Sequence, residues 1–80
     1  MSYYVYVLIS NKDGNFYIGI SENPERRLSE HNNGFSKSTK PRRPFVLVHK
    51  EQFDTRAEAR KREKSLKSGE GRELLKSFFK

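Results

Sequence analysis

The carboxylate most out of place in this sequence is that of Glu63. In a helix, Ala59 and Leu66 would define a buried stripe, and Glu63 falls between them. A carboxylate on a buried stripe is costly unless it is paired with a cation or bound to a metal. Mg²⁺ prefers one or two carboxylates together with water and phosphate oxygens, so a divalent-cation site is one interpretation. A structural ion pair with Arg27 is the other.

Two tyrosines of the first predicted hairpin are further candidates. A hairpin symmetric about its turn would place Tyr6 opposite Gly19 and diagonal to Tyr17, on one face of the sheet. Gly19 has no side chain and would leave space opposite Tyr6, where a substrate could approach. Ordinary aromatic packing in a small core explains the same pattern without any chemistry.

Arg27 and His31 are the remaining polar candidates. They lie four residues apart and share a helix face. Leu28 is the only strongly apolar residue between Ser21 and Asn33, so it marks the inward side of this helix. The two polar residues flank that side, which predicts a position at the edge of the sheet. A solvated arginine beside an exposed histidine is the alternative.

Strands and helices must position these side chains. Aromatic and β-branched runs predict strands at residues 3–9, 15–20 and 45–49, with an Asp-Gly turn between the first two. Asn23 before Pro24 predicts the start of a first helix that ends before Gly34.

The second half of the chain predicts two more helices. A capping box at residues 55–58 opens a helix that should reach about Ser68. The segment Gly69-Glu70-Gly71 should interrupt it. A short last helix should then turn one apolar face towards the core, formed by Leu74, Leu75, Phe78 and Phe79.

The element order β-β-α-β-α-α predicts one α+β domain over residues 1–80. We expect a small three-stranded, mainly antiparallel sheet flanked by helices. The direction of the third strand stays open, because a helix lies in the connection that precedes it.

The charge balance indicates a polyanionic partner. Seventeen basic residues against ten acidic ones give a formal net charge of +7. Lys and Arg gain affinity for nucleic-acid phosphates by releasing counterions. Two basic segments, one in the loop before the third strand and one on the second long helix, supply the candidates for phosphate contacts: Lys37, Lys40, Arg42, Arg43, Arg60, Lys61 and Lys64. Any of these side chains could instead be merely solvated.

Residue types and patterns that the sequence lacks exclude several kinds of site and segment. The absence of cysteine excludes disulfides and thiolate zinc sites. No apolar run approaches the roughly 20 residues that span a bilayer. The start of the chain lacks the basic flank and apolar stretch of a secretory signal. We therefore expect a cytoplasmic protein with no membrane partner.

Taken together, the residues resemble the GIY-YIG endonuclease family, especially its small stand-alone bacterial members. The resemblance covers nearly the whole chain. The second family motif, Tyr17-Ile18-Gly19, is intact, and Arg27 follows Tyr17 by ten residues. Residues 59–67 resemble the helix that carries the family's metal-binding glutamate. The first motif departs from the pattern and reads Tyr4-Val5-Tyr6, and a tyrosine in place of its glycine should narrow the approach to the site.

The resemblance implies a nuclease that uses Mg²⁺, or Mn²⁺, to hydrolyse phosphodiester bonds. Glu63 would hold a single divalent cation, and Arg27 would stabilise the charge that develops on the phosphate. Tyr6 would help to deprotonate the attacking water, with Tyr17 assisting or positioning it. His31 would hydrogen-bond to a tyrosine or to a phosphate. The neighbouring arginine and cation would lower the pKa of Tyr6 from its usual value near 10.

Two other interpretations fit the same sequence. A non-catalytic nucleic-acid-binding module would keep the fold and the basic loop, and a protein-interaction domain would dock through the apolar face of the last helix. The presence of all five candidate catalytic residues favours the enzyme, because a decayed site would have lost some of them. We expect DNA more than RNA as substrate and weak sequence specificity, and recognition of DNA structure stays open. A protein partner or a homodimer stays open.

Overall fold

The computed structural model describes residues 2–79. Its strands are β1 (Tyr3–Ser10), β2 (Phe16–Ser21) and β3 (Phe45–Phe53), and its α-helices are α1 (Pro24–Asn32), α2 (Arg56–Lys67) and α3 (Gly69–Phe79). The order β-β-α-β-α-α and the α+β class predicted from the sequence are confirmed. Within residues 2–79, no helix combines the length and the apolar character that crossing a bilayer requires.

The sheet has the order β2-β1-β3, and both pairs of neighbours are antiparallel. Tyr6 lies opposite Gly19, so the predicted hairpin register is confirmed. β3 extends beyond the predicted end at residue 49, because residues 50–53 pair with the first half of β1. Residues 50–53 are mostly polar, so the sequence does not predict a strand there. Strand propensity depends strongly on pairing and on position in the sheet.

The central strand β1 is buried on both faces. One face carries Val5 and Val7, which pack with the buried side chains of α2 and α3. The other face carries Tyr6 and Leu8, which pack with Phe45 and lie under α1. Because successive side chains of a strand point to opposite faces, one eight-residue strand holds two small cores together.

Helix α1 is held at both ends by asparagine side chains. At its start, the Oδ1 atom of Asn23 accepts a hydrogen bond from the backbone N–H of Arg26, as the predicted cap requires. At its end, the side chain of Asn32 donates to the carbonyl of Phe45 and accepts from its N–H, at 3.1 and 2.7 Å. This second pair of bonds fixes the end of α1 to the start of β3.

The predicted interruption after α2 is present but lies at Ser68, and the glycines themselves belong to the last helix, so the prediction that residues 69–71 form the break was wrong. α2 ends at Lys67, and α3 begins at Gly69. Gly71 is buried because the backbone of α2 lies directly against it. A Cβ atom at this position would come within 2.5 Å of the Leu66 Cα atom and would also overlap the Ser65 carbonyl oxygen. The glycine therefore permits the close approach of the two helices.

The apolar face predicted for α3 is only partly buried. Leu75 is buried and Phe79 packs against the same core, but Leu74 and Phe78 are exposed, Phe78 by 71%. Leu75 and Phe79 are four residues apart and share a helix face, whereas their preceding neighbours are rotated by about 100° from that line. The prediction that the core uses all four side chains was wrong.

The close packing at Gly71 can be tested by adding one methyl group. We expect Gly71→Ala to lower the free energy of unfolding by about 2 kcal/mol, because overpacking against backbone atoms forces the two helices apart. Gly69→Ala is the matched control, since a Cβ atom there has no neighbour within 4 Å. Urea unfolding followed by circular dichroism measures both, and equal stabilities of the two variants would contradict this account.

Candidate active site

Catalytic candidates from opposite faces of the sheet meet at its open edge, along β2. Helix α1 supplies Arg27 from one face, and helix α2 supplies Glu63 from the other. They contribute to a cleft of about 400 Å³, called here the active-site cleft, which is lined by Tyr6, Tyr17, Ile18, Gly19, Ile20, Arg27, Arg56, Arg60, Glu63 and Lys67. Four of the five candidate catalytic residues therefore line one cleft, and His31 lies behind it.

The ring of Tyr6 reaches the cleft by crossing Gly19. A Cβ atom at Gly19 would lie 2.5 Å from the hydroxyl oxygen of Tyr6 and 2.6 Å from its Cζ atom. The space predicted opposite Tyr6 is therefore filled by the tyrosine ring itself, and this ring and Gly19 both line the active-site cleft. Gly19 instead lets a side chain of the central strand bring its hydroxyl group to the edge of the sheet.

Tyr17 belongs to a cluster of aromatic rings beside this contact. Its ring centroid lies 6.3 Å from that of Tyr6, so the predicted diagonal arrangement is confirmed. It also meets the imidazole of His31 edge to face at 4.7 Å, and Phe45 lies 6.4 Å away. The half-buried Tyr17 is thus held by rings on three sides, which fixes the wall of the cleft.

His31 is fully buried, so the alternative of an exposed histidine was wrong. Its Nδ1 atom lies 2.8 Å from Oγ1 of Thr39, and its Nε2 atom lies 3.4 Å from the hydroxyl oxygen of Tyr6. The hydroxyl of Thr39 donates to the Ser36 carbonyl, so it accepts a hydrogen bond from Nδ1–H. Nε2 then carries a lone pair that faces Tyr6. Of the two partners predicted for His31, this geometry selects the tyrosine.

Burial determines the ionisation of the Tyr6 phenol and of the His31 imidazole. Burial raises the pKa of Tyr6 above 10, although a hydrogen bond from Arg27 opposes this change. Arg27 therefore lowers the pKa of Tyr6 as expected, but burial has the larger effect and the pKa lies above its ordinary value. Burial, and then the charge of Arg27, lower the pKa of His31 below 6.5. At neutral pH, Tyr6 is a phenol and His31 is a neutral imidazole.

Arg27 connects the tyrosine to the open cleft. A hydrogen bond with Tyr6 and a weaker effect of a hydrogen bond with Glu30 raise the pKa of the Arg27 guanidinium. The group therefore stays charged at any physiological pH. Its side chain is about one third exposed. A guanidinium has five N–H donors, so Arg27 retains donors that can bind an anion in the cleft.

Glu63 lies at the cleft wall between the buried side chains of Ala59 and Leu66, as the helical stripe predicts. Its side chain is 19% exposed, and its ion-pair partner is Lys67 at 3.2 Å instead of Arg27. Among residues 2–79, Glu63 is the only carboxylate that lines this cleft, and no cluster of three or more metal-binding side chains occurs. A single accessible carboxylate fits Mg²⁺, which completes its coordination with water and phosphate oxygens.

Tyr4 does not line the active-site cleft, so the expectation that it narrows the approach to the site was wrong. The ammonium group of Lys50 lies 5.5 Å from the centroid of its ring. The same ammonium forms an ion pair with Glu25 at 2.7 Å. Tyr4 therefore packs towards the start of α1.

The predicted phosphate-binding cations occupy three kinds of position. Arg60 lines the active-site cleft. Arg42 pairs with Asp13 at 2.8 Å and lies over the ring of Phe45, so it fastens the loop to the hairpin turn. The others are exposed and stand outside the active-site cleft: Lys37, Lys40, Arg43, Lys61 and Lys64.

Two basic residues of the cleft, Arg56 and Lys67, were missed in the sequence. Together with Arg60 and Glu63 they follow one another at intervals of four, three and four residues. That spacing places all four on one face of α2. The signal was therefore present, but the many other cations of the same helix concealed it.

Comparison with known proteins gives consistent matches. Residues 2–76 match the family described as the GIY-YIG catalytic domain. A UPF0213 protein of Enterococcus faecalis is 46% identical over 83 residues, covering 96% of this chain and 93% of the relative. A UPF0213 protein of Natronomonas pharaonis is 46% identical over 67 residues, covering 82% and 78%. The solution NMR structure of a UPF0213 protein from Bacillus halodurans is 36% identical, with a TM-score of 0.58 and coverage of 99% and 86%.

The buried His31 should make stability depend on pH in a window set by its pKa. Because its folded-state pKa is lowered, the unfolded chain binds a proton more readily, and stability should fall as pH drops below about 6.5. The slope should approach about 1.4 kcal/mol per pH unit at most. Urea unfolding between pH 5 and 8 measures it.

His31→Gln is the comparison variant for this measurement. It should be less stable overall and should lose the slope above pH 5. The carboxylates with lowered pKa values, Asp13, Glu25 and Glu51, contribute at lower pH, because their stabilisation is lost only as pH falls from about 4.5. An unchanged slope in His31→Gln would contradict the assignment.

Proposed function

Because this chain belongs to the GIY-YIG catalytic-domain family, a family of nucleases, we propose that it is a divalent-metal-dependent endonuclease that cuts DNA. The observation that carries the proposal is the meeting of Tyr6, Arg27 and Glu63 in one basic cleft at an open sheet edge. An arginine, a carboxylate and a hydroxyl group are what phosphodiester hydrolysis requires for charge stabilisation, cation binding and proton transfer.

Arg27 would bind the scissile phosphate and stabilise the charge that grows on it. Its guanidinium stays protonated and lies within hydrogen-bonding reach of Tyr6. The cleft also contains Arg56, Arg60 and Lys67, which would draw the phosphate in and hold its neighbours. Preorganised cations in a partly desolvated cleft are worth more than the same charges in open water.

Glu63 would hold the cation, Mg²⁺ or Mn²⁺. When bound, such a cation acts as a Lewis acid that polarises a phosphoryl oxygen and stabilises the leaving oxygen. The present partner of Glu63, Lys67, is half exposed, and an exposed ion pair of this kind contributes only about 0–1 kcal/mol. Lys67 can therefore release the carboxylate and bind a phosphate oxygen instead.

Tyr6 and His31 would move the proton of the attacking water. A buried phenol is a weak base on its own, since even at a pKa near 10 fewer than about one part in a hundred is ionised at pH 7. The neutral Nε2 atom of His31 faces the phenol, so Tyr6 can pass its proton to the imidazole as it receives one from water. Thr39 would support the resulting imidazolium by accepting from Nδ1–H.

Weak sequence specificity follows from what lines the cleft. Among residues 2–79, its cationic members are suited to phosphate groups, and phosphate contacts carry no direct sequence information. Preference for DNA over RNA, and for a particular DNA structure, rests on the family resemblance.

Cleavage of labelled DNA and RNA oligonucleotides with Mg²⁺ or Mn²⁺ tests the proposal. We expect wild type to cut DNA in a metal-dependent manner. Tyr6→Phe should slow cleavage by about 10²-fold or more, because general acid–base catalysis is worth about 10²–10⁴-fold. Glu63→Gln should lose still more activity, because it would no longer hold the cation.

Glu70→Gln is the matched control for Glu63→Gln, because Glu70 is exposed in the first turn of α3 and stands outside the cleft. It should cut at the wild-type rate. Cleavage by Glu63→Gln at the rate of this control would refute the metal assignment. A wild-type protein that binds DNA but never cuts it would support the non-catalytic binding module.

A further inference from the structure

A second cleft adjoins the active-site cleft along β2. It has a volume of about 510 Å³, is called here the flanking cleft, and is lined by Asn15, Phe16, Tyr17, Ile18, Arg42, Lys67, Arg72 and Lys76. Tyr17, Ile18 and Lys67 line both clefts. The two clefts therefore form one groove that follows the free edge of the sheet and continues past the candidate catalytic residues towards α3.

The flanking cleft is basic. Four of its lining residues are cationic, and among residues 2–79 no carboxylate lines it. Two of the four, Arg42 and Lys67, form ion pairs with Asp13 and Glu63. Arg72 has no carboxylate within ion-pair distance in the described part of the chain, and Lys76 lies 3.9 Å from the exposed Glu73. Arg72 and Lys76 are four residues apart on α3, so both project from the same face of that helix.

Backbone donors lie along the same groove. The backbone N–H of Ser10 donates to the carbonyl of Asn15, and hydrogen-bonded pairs alternate along an antiparallel ladder. Tyr17 and Gly19 therefore direct their backbone groups towards β1, whereas Ile18 directs both its N–H and its carbonyl outwards along the groove. The free edge of a sheet can bind anions through such N–H groups.

We propose that the flanking cleft binds the backbone phosphates next to the scissile phosphate of the same nucleic-acid strand. This rests on the proposed nuclease function and adds the path of the substrate. The strand edge from residue 15 to residue 20 is roughly 17 Å long at about 3.3 Å per residue. This length is several times the axial rise of about 3.4 Å per phosphate of one strand, so the groove is long enough for more than one phosphate. Arg72 and Lys76 make α3 a substrate-binding helix.

Binding measured without divalent metal tests the path, because no strand is then cut. We compare Arg72→Ala/Lys76→Ala with wild type by fluorescence anisotropy of a labelled DNA oligonucleotide at several salt concentrations. Each phosphate contact contributes about 0.9 to the slope of log K against log salt, so the variant should show a slope smaller by about two. Its affinity should fall about tenfold.

Lys50→Ala is the matched control for the loss of one positive charge. It is compared with the single variants Arg72→Ala and Lys76→Ala. Lys50 is exposed on β3, which is separated from β2 by the central strand. Lys50→Ala should bind the DNA oligonucleotide with an affinity within twofold of that of wild type. Thermal melting verifies that each variant is folded. If Arg72→Ala/Lys76→Ala binds as tightly as Lys50→Ala, the flanking cleft is not part of the substrate path.

A second experiment locates the contacts on the nucleic acid. Single neutral methylphosphonate linkages are placed at successive positions on either side of the mapped cleavage site. Wild type should be slowed by substitutions at several positions on one side, and Arg72→Ala/Lys76→Ala should lose that sensitivity. If methylphosphonate substitutions on neither side slow wild-type cleavage, the proposed substrate path is overturned, whereas the nuclease function is not. A wild type that binds without cutting would overturn the nuclease function and leave the binding result to decide the path.

Discussion

The candidate site depends on one close contact, the passage of the Tyr6 ring across Gly19. A hydroxyl that originates on the central strand of a sheet is normally enclosed by its neighbours. Here it reaches the open edge because the opposite residue lacks a Cβ atom. The same contact brings the phenol between Arg27 on one side and His31 on the other. Without it, the groups that fit phosphate chemistry would be separated by a strand.

The fold also brings candidate catalytic side chains from both faces of the sheet to one place. α1 and α2 pack on opposite faces of the same three strands, and β2 is the edge where side chains of both helices meet. All five candidate catalytic residues lie on regular strands or helices, so their positions follow from packing and hydrogen bonds within these elements. Such sites are more precisely preorganised than sites built on loops.

Much of this arrangement could be predicted from the sequence. Capping residues defined the starts of α1 and α2, and the symmetric hairpin gave the register that brings Tyr6 to Gly19. These features are local, so a short window contains the information. The extension of β3, the entry of Gly71 into a helix and the exposure of Phe78 depend on distant partners, which no local pattern specifies. The pKa of Tyr6 belongs to the same group, because burial outweighs a charge that the sequence does show.

The hydrogen bond between His31 and Thr39 connects the basic loop to the proton chemistry. Thr39 stands in the loop between Lys37 and Arg43, so the acceptor of the imidazole Nδ1–H belongs to the segment that carries exposed cations. If a bound polyanion displaced that loop, Nδ1 would lose its acceptor and the imidazole could change tautomer. Nε2 would then carry a hydrogen towards the phenol and could no longer accept its proton. Through this one hydrogen bond, Thr39 determines which imidazole nitrogen carries the hydrogen and which one faces the phenol as a base.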